Sequence, residues 1–127
     1  MEKRILVVDD EKMILGMMEK ALSREGYKVL TAGDAEEALS ILKENTVNVM
    51  FLDLKLPGMN GIELCKAIRK DNSMAIVYAV TGYASLFELS GCREVGFDDY
   101  FTKPVDLKVL FKAAKEAFDI IERWKTK

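Results

Sequence analysis

The sequence predicts a doubly wound α/β sandwich: a five-stranded parallel sheet in the order 2-1-3-4-5, flavodoxin-like, covered by five helices. Three observations predict it. Short apolar runs of buried-strand type alternate with helical patterns five times along the 127 residues. The connections have the dozen or more residues that a parallel crossover needs, which puts helices on both faces of the sheet. Five strands then favour this order over the other doubly wound one. The length is that of one domain, 1–127, and no repeat, low-complexity tract or linker divides it.

Each element has its own signal. Ile5 to Val8 is a continuous apolar run, the first strand. Glu11 to Arg24 carries Ile14, Met17, Met18, Ala21 and Leu22 at helical spacing and meets a stop at Gly26. Tyr27 to Ala32 is the second strand, and Asp34 to Glu44 is a helix with Ala35, Ala38, Leu39 and Leu42 on one face. Val47 to Leu52 is the third strand; Pro57-Gly58 breaks the chain, and Asn60 starts a helix bearing Ile62, Leu64, Cys65 and Ile68. Ala75 to Val80 is the fourth strand. Ser85 to Val95 is a weaker helix interrupted by Gly91 and stopped by Gly96. Asp99 to Thr102 is a short fifth strand, and Val105 to about Trp124 is the last helix, with Leu107, Leu110, Phe111, Ala114, Ala117, Phe118 and Ile121 as its stripe.

Composition removes several functions. Nineteen basic and 21 acidic residues give a formal charge of -2, without the basic surplus of a nucleic-acid or membrane-surface binder. No apolar stretch approaches a membrane span, and the apolar run after Met-Glu-Lys-Arg is too short for a signal peptide, so a cytoplasmic protein is expected. Cys65 and Cys92 stand in no metal or redox spacing and read as reduced thiols. Histidine is absent. That excludes a Ser-His-Asp or Cys-His nucleophile, a histidine-ligated zinc, and a phosphohistidine on this chain.

Open parallel sheets bind ligands beyond the carboxyl ends of their strands, near the switch in strand order. Here the first strand ends in Asp9-Asp10, the third in Asp53, the fourth in Thr81 and the fifth in Lys103. Each has a bland reading when taken alone. Asp9 or Asp10 would cap the first helix, Asp53 would form a turn, Thr81 would cap the next helix and Lys103 would be a solvated strand end. Together those readings fail, because every one of these groups falls on the same rim. At 4 Å and an effective dielectric near 20, each pair of carboxylates repels by about 4 kcal/mol. Such a cluster holds a proton at a raised pKa or binds a cation. An all-oxygen donor set selects magnesium first, with calcium and manganese behind it. The chemistry that fits is phosphoryl transfer onto a carboxylate, with the metal and Lys103 supplying positive charge.

Four stretches then carry a resemblance: Ile5-Leu-Val-Val-Asp-Asp-Glu11, Val49-Met-Phe-Leu-Asp-Leu-Lys-Leu-Pro-Gly-Met-Asn-Gly61, Val80-Thr-Gly82 and Gly96-Phe-Asp-Asp-Tyr-Phe-Thr-Lys-Pro104. Together, in this order and spacing, the sequence resembles the receiver domain of two-component response regulators, of the chemotaxis-regulator type, over nearly its whole length. The resemblance implies that Asp53 is the phosphoacceptor. It implies that Asp10, Asp53 and the backbone carbonyl of Lys55 bind Mg²⁺ (or Mn²⁺), with Asp9 orienting the ion through water. Lys103 would neutralise phosphoryl oxygens, and its bond to Pro104 would be cis, aiming the ammonium at the site. Thr81 would move to the phosphoryl group and Tyr100 would rotate into the space it leaves, a two-state switch. The switching surface would be the fourth helix, the fifth strand and the fifth helix. Lys55 and Tyr83 would tune dephosphorylation as a bulky pair that restricts the attacking water.

A histidine kinase or phosphotransfer protein acting in trans is the implied donor, with small acyl phosphates as substitutes, and the output partner is unnamed. The chain would not be an enzyme in its own right, only an acceptor that assists its own phosphorylation and dephosphorylation. Three rivals remain. A flavodoxin-like FMN or nucleotide binder would want a Ser/Thr/Gly-rich loop where Asp9-Asp10 stands. An aspartyl-nucleophile phosphohydrolase would want Asp-x-Asp there. An adaptor independent of phosphorylation would be indifferent to Asp53→Ala. Trp124 either ends the core or marks a contact surface.

Overall fold

The computed structural model describes residues 2–82 and 86–125, and for Leu86 and Phe87 the backbone alone. Tyr83 lies outside the described residues. The element order is β1 (Arg4–Val8), α1 (Lys12–Arg24), β2 (Lys28–Ala32), α2 (Ala35–Glu44), β3 (Val49–Asp53), α3 (Gly61–Asp71), β4 (Ile76–Thr81), α4 (Leu86–Val95), β5 (Asp99–Thr102) and α5 (Leu107–Lys125). All pairings are parallel, and the sheet runs β2-β1-β3-β4-β5, the expected flavodoxin-like order.

Strand periodicity divides the apolar residues between two cores. Leu6, Val8, Met50, Leu52 and Val77 face Ala35, Ala38, Leu64, Cys65 and Ile68 of α2 and α3. Their neighbours Ile5, Val7, Val49, Phe51, Ile76, Tyr78 and Val80 face Met18 and Leu22 of α1 and Leu110, Ala114 and Ala117 of α5. Because β1, β3 and β4 are covered on both faces, they read as unbroken apolar runs. Phe51, Tyr78 and Phe101 pack as an aromatic ladder across β3, β4 and β5, with adjacent ring centroids 5.2 and 5.4 Å apart. Cys65 and Cys92 are buried free thiols. Of the α1 methionines, Met18 is core whereas Met13 and Met17 lie on the helix surface.

Local chemistry fixes the helix ends. Asp34 caps α2 by accepting from the Glu37 amide at 2.8 Å. Asn60 and Glu63 form a full capping box on α3. Gly96 ends α4 in a left-handed conformation at φ 95° that L side chains rarely adopt.

Several boundaries differ from expectation. β3 begins at Val49 rather than Val47, with the Asn48 carbonyl already accepting from the Ile76 amide of β4 at 2.7 Å. At their far ends β3 and β4 include Asp53 and Thr81, Asp53 on the last rung shared with β4, opposite Val80, and Thr81 one rung further, opposite Thr102. α5 starts at Leu107, not Val105. Trp124 is 64% exposed and does not close the core; it lines a surface groove with Met74, Ile120 and Ile121.

Candidate functional site

The carboxyl ends of the strands build one rim. Asp9 follows β1 directly, its amide bonded to the Ala32 carbonyl at 3.1 Å, and its side chain is 2% exposed. Asp53 ends β3 and is also buried. Asp10 points to solvent. Despite that difference, one carboxylate oxygen from each of Asp9, Asp10 and Asp53 lies within 4.8 Å of the others. Neither Asp9 nor Asp10 caps α1: the cap residue is Glu11, without a side-chain cap hydrogen bond. Asp9 Oδ1 instead accepts from the Glu11 amide at 2.9 Å.

Lys103 closes the rim from the far edge of the sheet. Its amide donates to the Thr81 carbonyl at 2.8 Å, which pins the end of β5 to the end of β4, and the Lys103–Pro104 bond is cis. The ammonium lies 2.9 Å from Asp9 Oδ2, 3.3 Å from Asp53 Oδ2 and 3.3 Å from Glu11 Oε1. Burial and the Asp9 charge raise the Asp53 carboxyl above its ordinary pKa, against the opposing pull of Lys103 and of the Lys55 amide. Burial alone would lower the Lys103 ammonium. The hydrogen bond and charge of Asp9, with the charge of Asp53, override it and raise the pKa.

Thr81 is 1% exposed and sits one rung beyond Val80, the register partner of Asp53. Tyr100, opposite Ala79 on β5, is 43% exposed. Lys55 is exposed on the loop after β3, and its amide donates to Asp53 Oδ1 at 3.3 Å.

The structure thus brings Asp9, Asp10, Asp53 and Lys103 together, with Lys55 on the adjoining loop and Thr81 ending the next strand. The donor set is hard oxygen throughout, two of its three acids are buried, and the Asp53 carboxyl is raised even with an ammonium in contact. That set fits a small hard divalent ion.

Three further residues shape the rim without having been singled out from the sequence. Glu11 reaches Lys103 across 92 positions. Gly61 begins α3 where a Cβ would lie 2.2 Å from the Asp53 carbonyl oxygen. Arg69 of α3 donates through Nε and Nη2 to the Gly96 carbonyl at 3.0 and 2.7 Å, and through Nη1 to the carbonyls of Ser73 and Ala75. It also pairs with Asp98 at 2.8 Å, tying the end of α4 to the start of β4. A glycine directly after a cap residue was a legible signal of close approach. Glu11 and Arg69 read only as solvated charges.

A five-stranded 2-1-3-4-5 sheet with three acids and a lysine on its carboxyl rim defines a class, and the chain belongs to the response regulator receiver domain family, whose model matches residues 5–115. It is 41% identical over 104 residues to the alkaline phosphatase synthesis transcriptional regulatory protein PhoP of Bacillus subtilis (strain 168). That alignment covers 82% of this chain and 43% of PhoP, so the chain spans under half the length of that relative. Its fold matches a CheY-like receiver domain protein from Methanospirillum hungatei JF-1 with a TM-score of 0.94 and 37% identity, over 97% of this chain and 98% of that one. The BeF3-activated DrrB receiver domain superposes with a TM-score of 0.86 at 30% identity, over 94% and 99% of the two chains.

Proposed function

We propose that residues 1–127 form one receiver domain that accepts a phosphoryl group on Asp53 from a histidine kinase or histidine phosphotransfer protein. The donor histidine lies outside residues 1–127, which contain none. The observation that carries this reading is the position of Lys103 Nζ, 3.3 Å from Asp53 Oδ2 and beside the Asp9, Asp10 and Asp53 cluster. An ammonium there offsets the charge of an anionic donor that the acids alone would repel.

Asp10, Asp53 and the Lys55 carbonyl would hold Mg²⁺ or Mn²⁺, with Asp9 orienting it. When bound, the ion supplies charge neutralisation at the phosphoryl oxygens. Asp53 acts as the nucleophile in its carboxylate form. Lys103 donates to phosphoryl oxygen, and the Thr81 hydroxyl swings toward the modified side chain. Tyr100, exposed on β5, turns inward behind it and changes the face that an output partner reads. Lys55 and Tyr83 limit the approach of hydrolytic water. The protein is an acceptor that assists its own modification, not a turnover enzyme. No helix among the described residues is long and apolar enough to cross a membrane; with two buried free thiols, this supports a cytoplasmic setting.

The test is incubation with Mg²⁺ and a small acyl phosphate, read by intact mass. A parallel incubation with beryllofluoride is read by the fluorescence of Trp124 and the tyrosines. A magnesium-dependent mass gain that Asp53→Asn abolishes supports the reading. Absence of any gain, or a gain that persists in Asp53→Asn, overturns it.

A further inference from the structure

We infer that Glu11 is a positioning residue that occupies Lys103 in the resting protein and yields it to an incoming phosphoryl group. The inference rests on the reading of Asp53 as phosphoacceptor. Glu11 stands at the cap position of α1, yet its carboxylate makes no cap hydrogen bond there. Its backbone is held in place, the amide donating to Asp9 Oδ1 at 2.9 Å and the carbonyl accepting from Leu15 at 3.1 Å. The side chain is spent instead on Lys103, at 3.3 Å.

An ammonium has three hydrogens to donate. Three carboxylates stand around this one: Asp9 at 2.9 Å, Asp53 at 3.3 Å and Glu11 at 3.3 Å. A phosphoryl oxygen that takes a hydrogen bond from Lys103 therefore displaces one of them. Asp53 is the reacting group, and Asp9 is only 2% exposed and tethered by the Glu11 amide. The Glu11 side chain is 61% exposed, so water solvates it once released. It is the partner that departs at least cost.

In transfer from acetyl phosphate, an Asp53 carboxylate oxygen forms a bond to phosphorus as the phosphorus–acetate oxygen bond breaks. Acetate leaves with that electron pair, and no proton moves. The donor reaches the rim as a dianion, so a carboxylate that both holds Lys103 and adds negative charge at the mouth raises the donor concentration needed.

The experiment follows labelling of the full chain by intact mass at saturating Mg²⁺, over a range of acetyl phosphate and salt. Wild type is compared with Glu11→Gln and Glu11→Asp, and phosphoramidate serves as a monoanionic donor. Glu11→Gln is expected to lower the half-saturating acetyl phosphate about threefold, the scale of an exposed ion pair. The gain should shrink as salt rises and be smaller with phosphoramidate, responses that a purely structural role for Glu11 would not produce. Glu11→Asp, too short to reach Lys103, should share the gain although it keeps the charge. If Glu11→Asp behaves as wild type, occupation of Lys103 is refuted. If wild type labels normally and both variants match it at every salt concentration, this inference alone fails. A wild type that never labels overturns the Asp53 reading beneath it.

Discussion

Gly61 and Asp53 are in main-chain contact: a Cβ at position 61 would fall 2.2 Å from the Asp53 carbonyl oxygen and 2.8 Å from the Leu54 Cα. The Gly61 amide meanwhile donates to the Leu54 carbonyl at 2.9 Å. The start of α3 is thereby seated on the end of β3, and the loop that carries Lys55 closes between them.

Because the obstructing atoms at residue 61 are backbone, no rotamer change relieves them. Gly61→Ala should cost about 1–3 kcal/mol or more, read as a lower urea midpoint. It should also slow labelling of Asp53, because the acid and the Lys55 amide that bonds it move with the strand end. An unchanged midpoint would show that the two segments separate freely.

Removing the ammonium tests the electrostatics of the rim. Lys103→Met leaves the buried carboxylates of Asp9 and Asp53 without their shared counter-charge. The expected loss is about 3 kcal/mol in the absence of divalent ions. Added Mg²⁺ should then raise the melting midpoint more steeply than in wild type, since the ion no longer competes with Lys103 for the same oxygens. Asp53→Asn should blunt that response. Equal magnesium dependence in Lys103→Met and wild type would contradict competition between the ammonium and the ion for these oxygens, and no magnesium dependence in either would contradict a metal site at these acids.

Arg69 predicts a mechanical phenotype far from the rim. Its planar fork serves the Gly96, Ser73 and Ala75 carbonyls as well as Asp98, a geometry that a lysine ammonium cannot reproduce. Arg69→Lys should lose about 2 kcal/mol and accelerate amide hydrogen exchange at residues 96–98. Exchange at wild-type rates would mean that α4 is anchored by its apolar face alone.

Alkaline pH should unfold the protein through two buried groups. Burial pushes the Cys65 thiol from an ordinary 9.0 up to about 11 and the Tyr78 hydroxyl from 10.0 up to about 12. Both pKa values are raised on folding, so the native state keeps protons that the unfolded chain releases. Their contribution is therefore complete below pH 9 and is lost as pH climbs through 9–12. Each group accounts for on the order of 3 kcal/mol by the end of that range. Cys65→Ala and Tyr78→Phe should each flatten the fall in urea midpoint; a fall as steep in both variants would assign alkaline unfolding to other groups. Tyr78→Phe also gives up the hydroxyl's bond to the Ala113 carbonyl at 3.2 Å, about 1 kcal/mol at neutral pH.

The strand order and the rim were legible in the sequence because both rest on strong, local signals. Val47 to Leu52, bounded by a Pro-Gly break, reads as a doubly covered strand, and an acid at its carboxyl end falls at the rim of the sheet. Asn60 with Glu63 announces the start of α3 in the same way. Arg69 was not legible, because its acceptors are main-chain carbonyls that leave no trace in residue type. Glu11 escaped for a related reason: its partner lies 92 positions away, and nothing in a run of charges at a helix start says which of them will be used at long range. The late start of α5 has a local origin: Asp106 stands at its N-terminus, its carbonyl taking the first intrahelical bond from Leu110 and its Oδ1 accepting from the Lys108 amide at 2.8 Å.

Lys103 directly follows the last strand to be synthesised, whereas Asp9 and Asp10 directly follow the first. A nascent chain halted between α3 and β5 carries every acid of the rim but not its lysine. The counter-charge of the rim thus arrives together with completion of the sheet, and until the last strand is in place its acids stand without an ammonium between them.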